Sequence, residues 1–228
     1  MRLRITFSKT GSLRYIGHLD LHSVWERTFR RAGLPLAYTQ GFHPGPKIQI
    51  ASALPLGFSG RAEIVDVWLQ ENVEARFIPA QDDHKGRSYA EVLQPAAPPG
   101  LTILSAEQVD EHGPALQTQV VSAEYAVTLL EPFDEASLAG KIAALLEAGS
   151  LPRERRGKAY DLRPLVESLS ITTSLLPGDD GQEVRVFMRL AAREGATGRP
   201  EEVLDVLGIP AESVRIERTR LILQNDIE

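Results

Sequence analysis

The sequence predicts an α+β fold built from two ferredoxin-like β-α-β-β-α-β halves in tandem, with antiparallel sheets and helices on one face. Three observations carry that expectation. Short alternating runs of apolar and polar residues are separated by runs of helical period. The same order of elements occurs twice along the chain. A length of 228 residues also suffices for two compact units, each burying its own core. The halves are expected at 1–106 and 122–228, with a linker at 107–121; element order repeats between them and residue identity does not.

In the first half, RLRITFS (2–8) alternates as a half-buried strand does. A helix follows, with Leu21, Val24, Trp25, Thr28, Phe29 and Ala32 at i, i+3, i+4 spacing. Arg30 and Arg31 in its last turn suit the helix dipole, and Gly33 is its expected stop. KIQIASALPLG (47–57) and AEIVDVWLQ (62–70) read as two strands of a hairpin joined through FSGR. RSYAEVLQ (87–94) reads as a short helix and LTILSAEQV (101–109) as a strand. In the second half, SAEYAVTLL (122–130) is a strand and DEASLAGKIAALLEAG (134–149) a helix, acidic at its start and ending in Gly149. SLSITTSLL (168–176) and EVRVFMRLA (183–191) pair around the turn signal PGDDGQ. RPEEVLDVLG (199–208) is a helix with Pro near its first turn and Gly at its end. VRIERTRLIL (214–223) is the closing strand.

Composition excludes several chemistries. The chain has no cysteine, hence no disulfide, no thiolate nucleophile and no Cys-held iron–sulfur cluster. No window approaches a membrane helix and the N-terminus lacks an apolar signal core, so a cytoplasmic protein with no membrane contact is expected. The patterns of a nucleotide-hydrolysing loop, a dinucleotide fold and a nucleophile elbow are missing. The net charge of −6 is unevenly spread: residues 1–70 carry nine Lys and Arg against four Asp and Glu, residues 71–150 four against thirteen. A basic segment in an acidic protein suits a local anionic partner, or is simply a solvated face.

Four stretches carry candidate binding residues. Arg14, Tyr15, His18 and Asp20 cluster where the first strand turns into its helix. His18 and His22 share a helical face, but no third ligand joins them at zincin spacing, so no metal is expected. Asp20 is expected to help cap the helix. The loop YTQGFHPGPKIQ (38–49) sets Gln40, Phe42, His43 and Lys47 among Gly and Pro that stiffen the backbone. Phe42 either stacks on a base or plugs the core, while His43 and Lys47 suit a phosphate. In LPRERRGKAYDLRPLVESL (151–169), Arg153, Arg155, Arg156, Lys158 and Arg163 interleave with Tyr160, a nucleic-acid pattern of low specificity. REGATGRP (193–200) reads as a flexible turn into a helix N-terminus, with Arg199 beside a potential anion cradle.

Residues 7–57 resemble the bacterial radical-SAM-linked family of unknown function. Its members occur alone or as the C-terminal part of cobalamin-binding radical SAM proteins. The runs that carry the resemblance are GHLDL, FRRAGLPLAYTQGFHPGPKI and ALPLG, with RGKAYDLRPL and GRPEEVL in the second half. The resemblance implies a radical SAM protein as partner. Lacking Cys, this chain holds no cofactor of that chemistry itself. The tandem architecture, with a histidine on an early helix, is also similar to the CRISPR repeat-RNA-processing endonucleases. Those enzymes cleave RNA without metal, using a histidine or other base to assist 2′-OH attack; the matching candidates are His18, Tyr15 and Lys47, or His43. Three readings follow. The chain is a non-catalytic RNA-binding module that presents a substrate to a separate radical SAM enzyme; or it is a protein adaptor for that enzyme; or it is a metal-independent endoribonuclease.

Overall fold

The computed structural model describes residues 1–70, 88–175 and 182–227. Its contacts divide the chain into two units, Met1–Gln119 and Val120–Glu228.

The first unit opens with β1 (Arg2–Lys9), followed by a 3₁₀ turn (Gly11–Tyr15) and α1 (His18–Arg31). After these come β2 (Ile48–Ile50), β3 (Ser59–Trp68), α2 (Tyr89–Leu93), β4 (Leu101–Val109) and the short α3 (Leu116–Gln119). All pairings are antiparallel and give the order β2-β3-β1-β4. Numbered within the unit this is 2-3-1-4, the ferredoxin-like arrangement. Alternation places Leu3, Ile5 and Phe7 on one side, all fully buried. Trp25 of α1 meets Phe7 edge-on at 4.8 Å and stacks on Phe29 at 5.1 Å, which fixes the helix on that side. The other phase of β1 holds Arg2 and Arg4, both bonded to Asp66 of β3. The segment after β4 closes over them: Arg2 donates to the carbonyls of Gly113 and Pro114, and Leu116 is fully buried.

Two expectations change here. The strand expected at 47–57 is only three residues long, and FSGR is no turn, since β3 already begins at Ser59. Pro55 cannot donate to a ladder, and Gly57 takes a positive φ of 85°, so residues 51–58 form the connection. Asp20 does not cap α1 through a side-chain bond: Gly17 is the N-cap, and Asp20 adds only its charge in the first turn. The stop at Gly33 (φ 72°) and the short helix near 89 are as the sequence indicates; Ser88 and Glu91 form a reciprocal capping box.

The second unit runs β5 (Val120–Leu129), α4 (Glu135–Glu147), β6 (Pro152–Arg155) and β7 (Lys158–Asp161). It continues through β8 (Val166–Leu175), β9 (Gln182–Arg193), β10 (Ala196–Thr197), α5 (Pro200–Leu207) and β11 (Val214–Leu223). The antiparallel order β8-β9-β5-β11 is again 2-3-1-4 within the unit. Register sets Tyr125 opposite Met188 and Val127 opposite Val186. These buried residues and the apolar sides of α4 and α5 make the core. The expected PGDDGQ turn falls largely outside the described residues. The hairpin β6–β7 was not expected from the sequence, while residues 193–197 form the β9–β10 turn that leads into α5.

Candidate nucleic-acid interface

The turn into α1 is anchored by buried Leu13 and by a hydrogen bond from the Gly57 amide to the Arg14 carbonyl (2.9 Å). The Arg14 guanidinium lies over the Tyr15 ring (5.2 Å) and donates to its hydroxyl (3.0 Å), so the two form one exposed cationic–aromatic unit. His18 opens α1. Partial burial, then the neighbouring His22 and Lys9, hold its imidazole below the usual histidine range. Neutral His18 is therefore favoured near neutral pH. Among the described residues no cluster of three or more His, Asp or Glu is placed to hold a metal ion.

The 38–49 loop is tied across its neck. Tyr38 and Pro46 form an isolated bridge, the Thr39 amide donates to Gly45 O (2.8 Å), and Gly45 N donates back to the Thr39 hydroxyl (3.1 Å). One step lower the Lys47 amide donates to Ala37 O (2.8 Å). The tip, Gln40 to Pro44, stands in solvent, and Phe42 is 101% exposed. Phe42 does not plug the core. Lys47 is partly committed: its Nζ lies 4.3 Å from the centroid of the Trp68 ring, over which Arg2 also sits at 4.7 Å. Trp68 was not singled out from the sequence. Its signal was a large aromatic ending an apolar strand; the structure sets it opposite Lys47, whose carbonyl accepts from the Trp68 amide (3.0 Å).

The loop's foot stands by Arg30, whose guanidinium is 6.0 Å from the Tyr38 ring. Arg30 and His18 are twelve residues apart on α1, about 18 Å along its axis. His18 and the foot of the loop thus lie toward opposite ends of α1.

The basic run of the second unit is largely engaged within the chain. Arg155 forks onto Glu202 of α5 and reaches Thr197 O (3.1 Å), with its guanidinium 4.8 Å from the Tyr160 ring. Burial alone would raise the Glu202 carboxyl, but the Arg155 guanidinium bonded to it outweighs that and holds it below the usual carboxylate range. Arg153 pairs with Asp205 (3.1 Å). Arg163 donates twice to Leu146 O and once to Val166 O, closing the C-terminal end of α4. Arg156 and Lys158 are exposed at the hairpin tip with no partner among the described residues, and there Arg156 (φ 52°) and Gly157 (φ 76°) make the tight turn. Arg199 is exposed as the N-cap of α5, but Glu201 and Glu202 fill the first turn. An anion there would meet two carboxylates.

A family model described as "Uncharacterized protein conserved in bacteria (DUF2344)" matches residues 2–200. The chain belongs to that family. No curated protein matches it. Among solved structures it is similar to a Cbf5-Nop10-Gar1 complex (TM-score 0.49, 10% identity). It is also similar to an H/ACA RNP bound to a substrate RNA containing 2′-deoxyuridine (TM-score 0.46, 10% identity). These alignments take in 96% of this chain but 48% and 47% of the matched chains, so it spans about half their length. An unknown protein from Galdieria sulphuraria aligns over 97% of both chains at a TM-score of 0.24 and 15% identity. Among the described residues no helix is long and apolar enough to cross a membrane.

Proposed function

We propose that this chain is a non-catalytic cytoplasmic module that binds RNA and presents it to a separate cobalamin-binding radical SAM enzyme. One observation carries the RNA reading: Phe42 is wholly in solvent at the tip of a loop whose neck is closed by three backbone and side-chain bonds. An aromatic that could have been buried is instead held out, at low entropic cost, between Gln40 and His43 and with no acidic neighbour. That is the disposition of a side chain that stacks on an unpaired base, with a donor on each side for its edge or its phosphate. The radical SAM partner is supported by the resemblance of GHLDL and the 29–48 run. The absence of Cys from these 228 residues supports placing the cluster chemistry outside them.

The adaptor reading has its own support in Tyr15 and Leu19, both exposed at the start of α1. Fluorescence polarisation with structured RNAs at low salt separates the two. The RNA reading requires an affinity better than about 100 μM at low salt, where phosphate contacts are strongest. Phe42→Ala should weaken binding about tenfold, the lower part of the range for one stacked base. Absence of RNA binding, with capture of a radical SAM enzyme that Leu19→Glu abolishes, would leave the adaptor.

A further inference from the structure

We infer that the solvent-facing side of the second unit's sheet is a single-stranded RNA platform on which one base stacks against Phe187. The inference takes its ligand class from the RNA reading above and rests on different residues. β9 lies between β8 and β5, and its residues alternate cleanly. Val184, Val186, Met188 and Leu190 are buried, while Arg185, Phe187 and Arg189 point the other way. Phe187 is 38% exposed in the middle of a four-stranded sheet. Register sets Ala126 beside it on β5, too small to cover the ring, and Ser170 beside it on β8. A shallow hollow of about 220 Å³ opens at the ring, bordered by Arg189, Glu124, Ser168 and Thr219.

The chemistry of this face selects the occupant. A protein partner needs an apolar centre, and here a single aromatic lies among hydroxyls, guanidinia and the carboxylates of Glu124 and Glu217. An unpaired base needs that combination: a ring to stack on, and donors or acceptors such as Ser168 and Ser170 for its edge. Charge on this face is balanced: Arg185 and Arg189 are matched by Glu183 and Glu167, and Glu124 and Glu217 lie on the same side of β5 and β11. Arg215 is exposed in the same cross-strand row as Arg185, through Thr128, and has no carboxylate partner among the described residues. It is the cation placed to meet a phosphate, and stacking carries the rest of the affinity. Aromatics presented on the third strand of such a sheet are a general route to RNA recognition. This sheet offers one ring where two or three are usual, so its contribution is that of one nucleotide.

The test is fluorescence anisotropy of the full chain with fluorescein-labelled U₁₂ and A₁₂ RNA at low salt. Phe187→Ala should weaken binding about tenfold, the lower part of the range for one stacked base, and Phe187→Tyr should retain it. Arg215→Glu should weaken binding and lower its salt dependence. Thermal melting checks the fold of each variant. Should Phe187→Ala melt early, Phe187→Trp serves instead, its emission quenched by added RNA if the base stacks there and unchanged if it does not. Undiminished binding by Phe187→Ala, with loss in Phe42→Ala, would overturn the sheet platform and leave the loop reading standing. Failure of the unaltered chain to bind either oligonucleotide would overturn both.

Discussion

Asp66 has no solvent exposure, and it accepts from two guanidinia: Arg2 Nε at 2.8 Å and Arg4 Nε at 2.9 Å. Arg2 is itself 1% exposed, so removal of Asp66 strands a buried cation. Asp66→Ala should cost about 3–5 kcal/mol in urea unfolding. Glu26→Ala, which breaks the exposed i,i+4 pair with Arg30, should cost no more than about 0.5 kcal/mol. The sequence showed Arg2 and Arg4 only as the polar phase of an alternating strand. Arg2's burial depends on the carbonyls of Gly113 and Pro114, more than a hundred residues away, and alternation says nothing of such a partner. His18 supports a second expectation at this scale. Its folded value lies below the ordinary 6.5, so in the window just beneath 6.5 the unfolded chain binds more protons than the folded one. Stability should therefore be complete above that window and fall as pH drops through it. His18→Gln should flatten the dependence of urea midpoints between pH 5 and 7; an unchanged slope would locate it in other groups.

Among the elements, the β6–β7 hairpin departs furthest from a reading of composition. Its cations looked like a nucleic-acid surface because sequence spacing cannot reveal that PEEVLD, forty residues later, folds into the acidic helix beside them. Arg155 and Glu202 join the hairpin to α5, and Asp161 accepts from the amides of Leu151 (2.7 Å) and Arg163 (2.9 Å) at its base. Those two amides hold the Asp161 carboxyl below its usual range. Arg163→Ala removes charge-assisted bonds that close α4, and should cost about 1.5–3 kcal/mol of unfolding free energy. Arg156→Ala, at the tip, should leave thermal stability almost unchanged. A reversed order of these two effects would mean that the hairpin is held by its turn and not by its base. Charge reversal at Arg155 is for the same reason a poor probe of RNA binding, since it breaks a structural link first. The helices and long strands were legible because their periods are local. β2 was overextended because apolar residues continue past the point where Pro55 and Gly57 end the ladder.

At the scale of the whole molecule, the doubled β-α-β-β-α-β order was readable from periodicity, and the strand order 2-3-1-4 in each unit follows from it by topology. The charge reads differently once the units are drawn. Residues 1–119 hold twelve Lys and Arg against twelve Asp and Glu, and residues 120–228 hold thirteen against nineteen. The basic start of the chain is thus neutralised within its own unit, and the second unit carries the whole surplus of −6. Neither unit's net charge draws a polyanion from a distance, so the proposed RNA binding would rest on stacking and on a few local cations. Its salt dependence follows. With about three phosphates contacted, and about 0.7 of a counterion released per phosphate of a single strand, log affinity should fall with log salt at a slope near 2. Removing a stacked ring should lower affinity by the same factor at every salt concentration, because stacking releases no counterions. Titrations of U₁₂ from 50 to 300 mM salt, with the unaltered chain, Phe42→Ala and Phe187→Ala, would give three parallel lines on that account. A slope of about 5 or more would count against this account, since it requires more phosphate contacts than a few local cations supply.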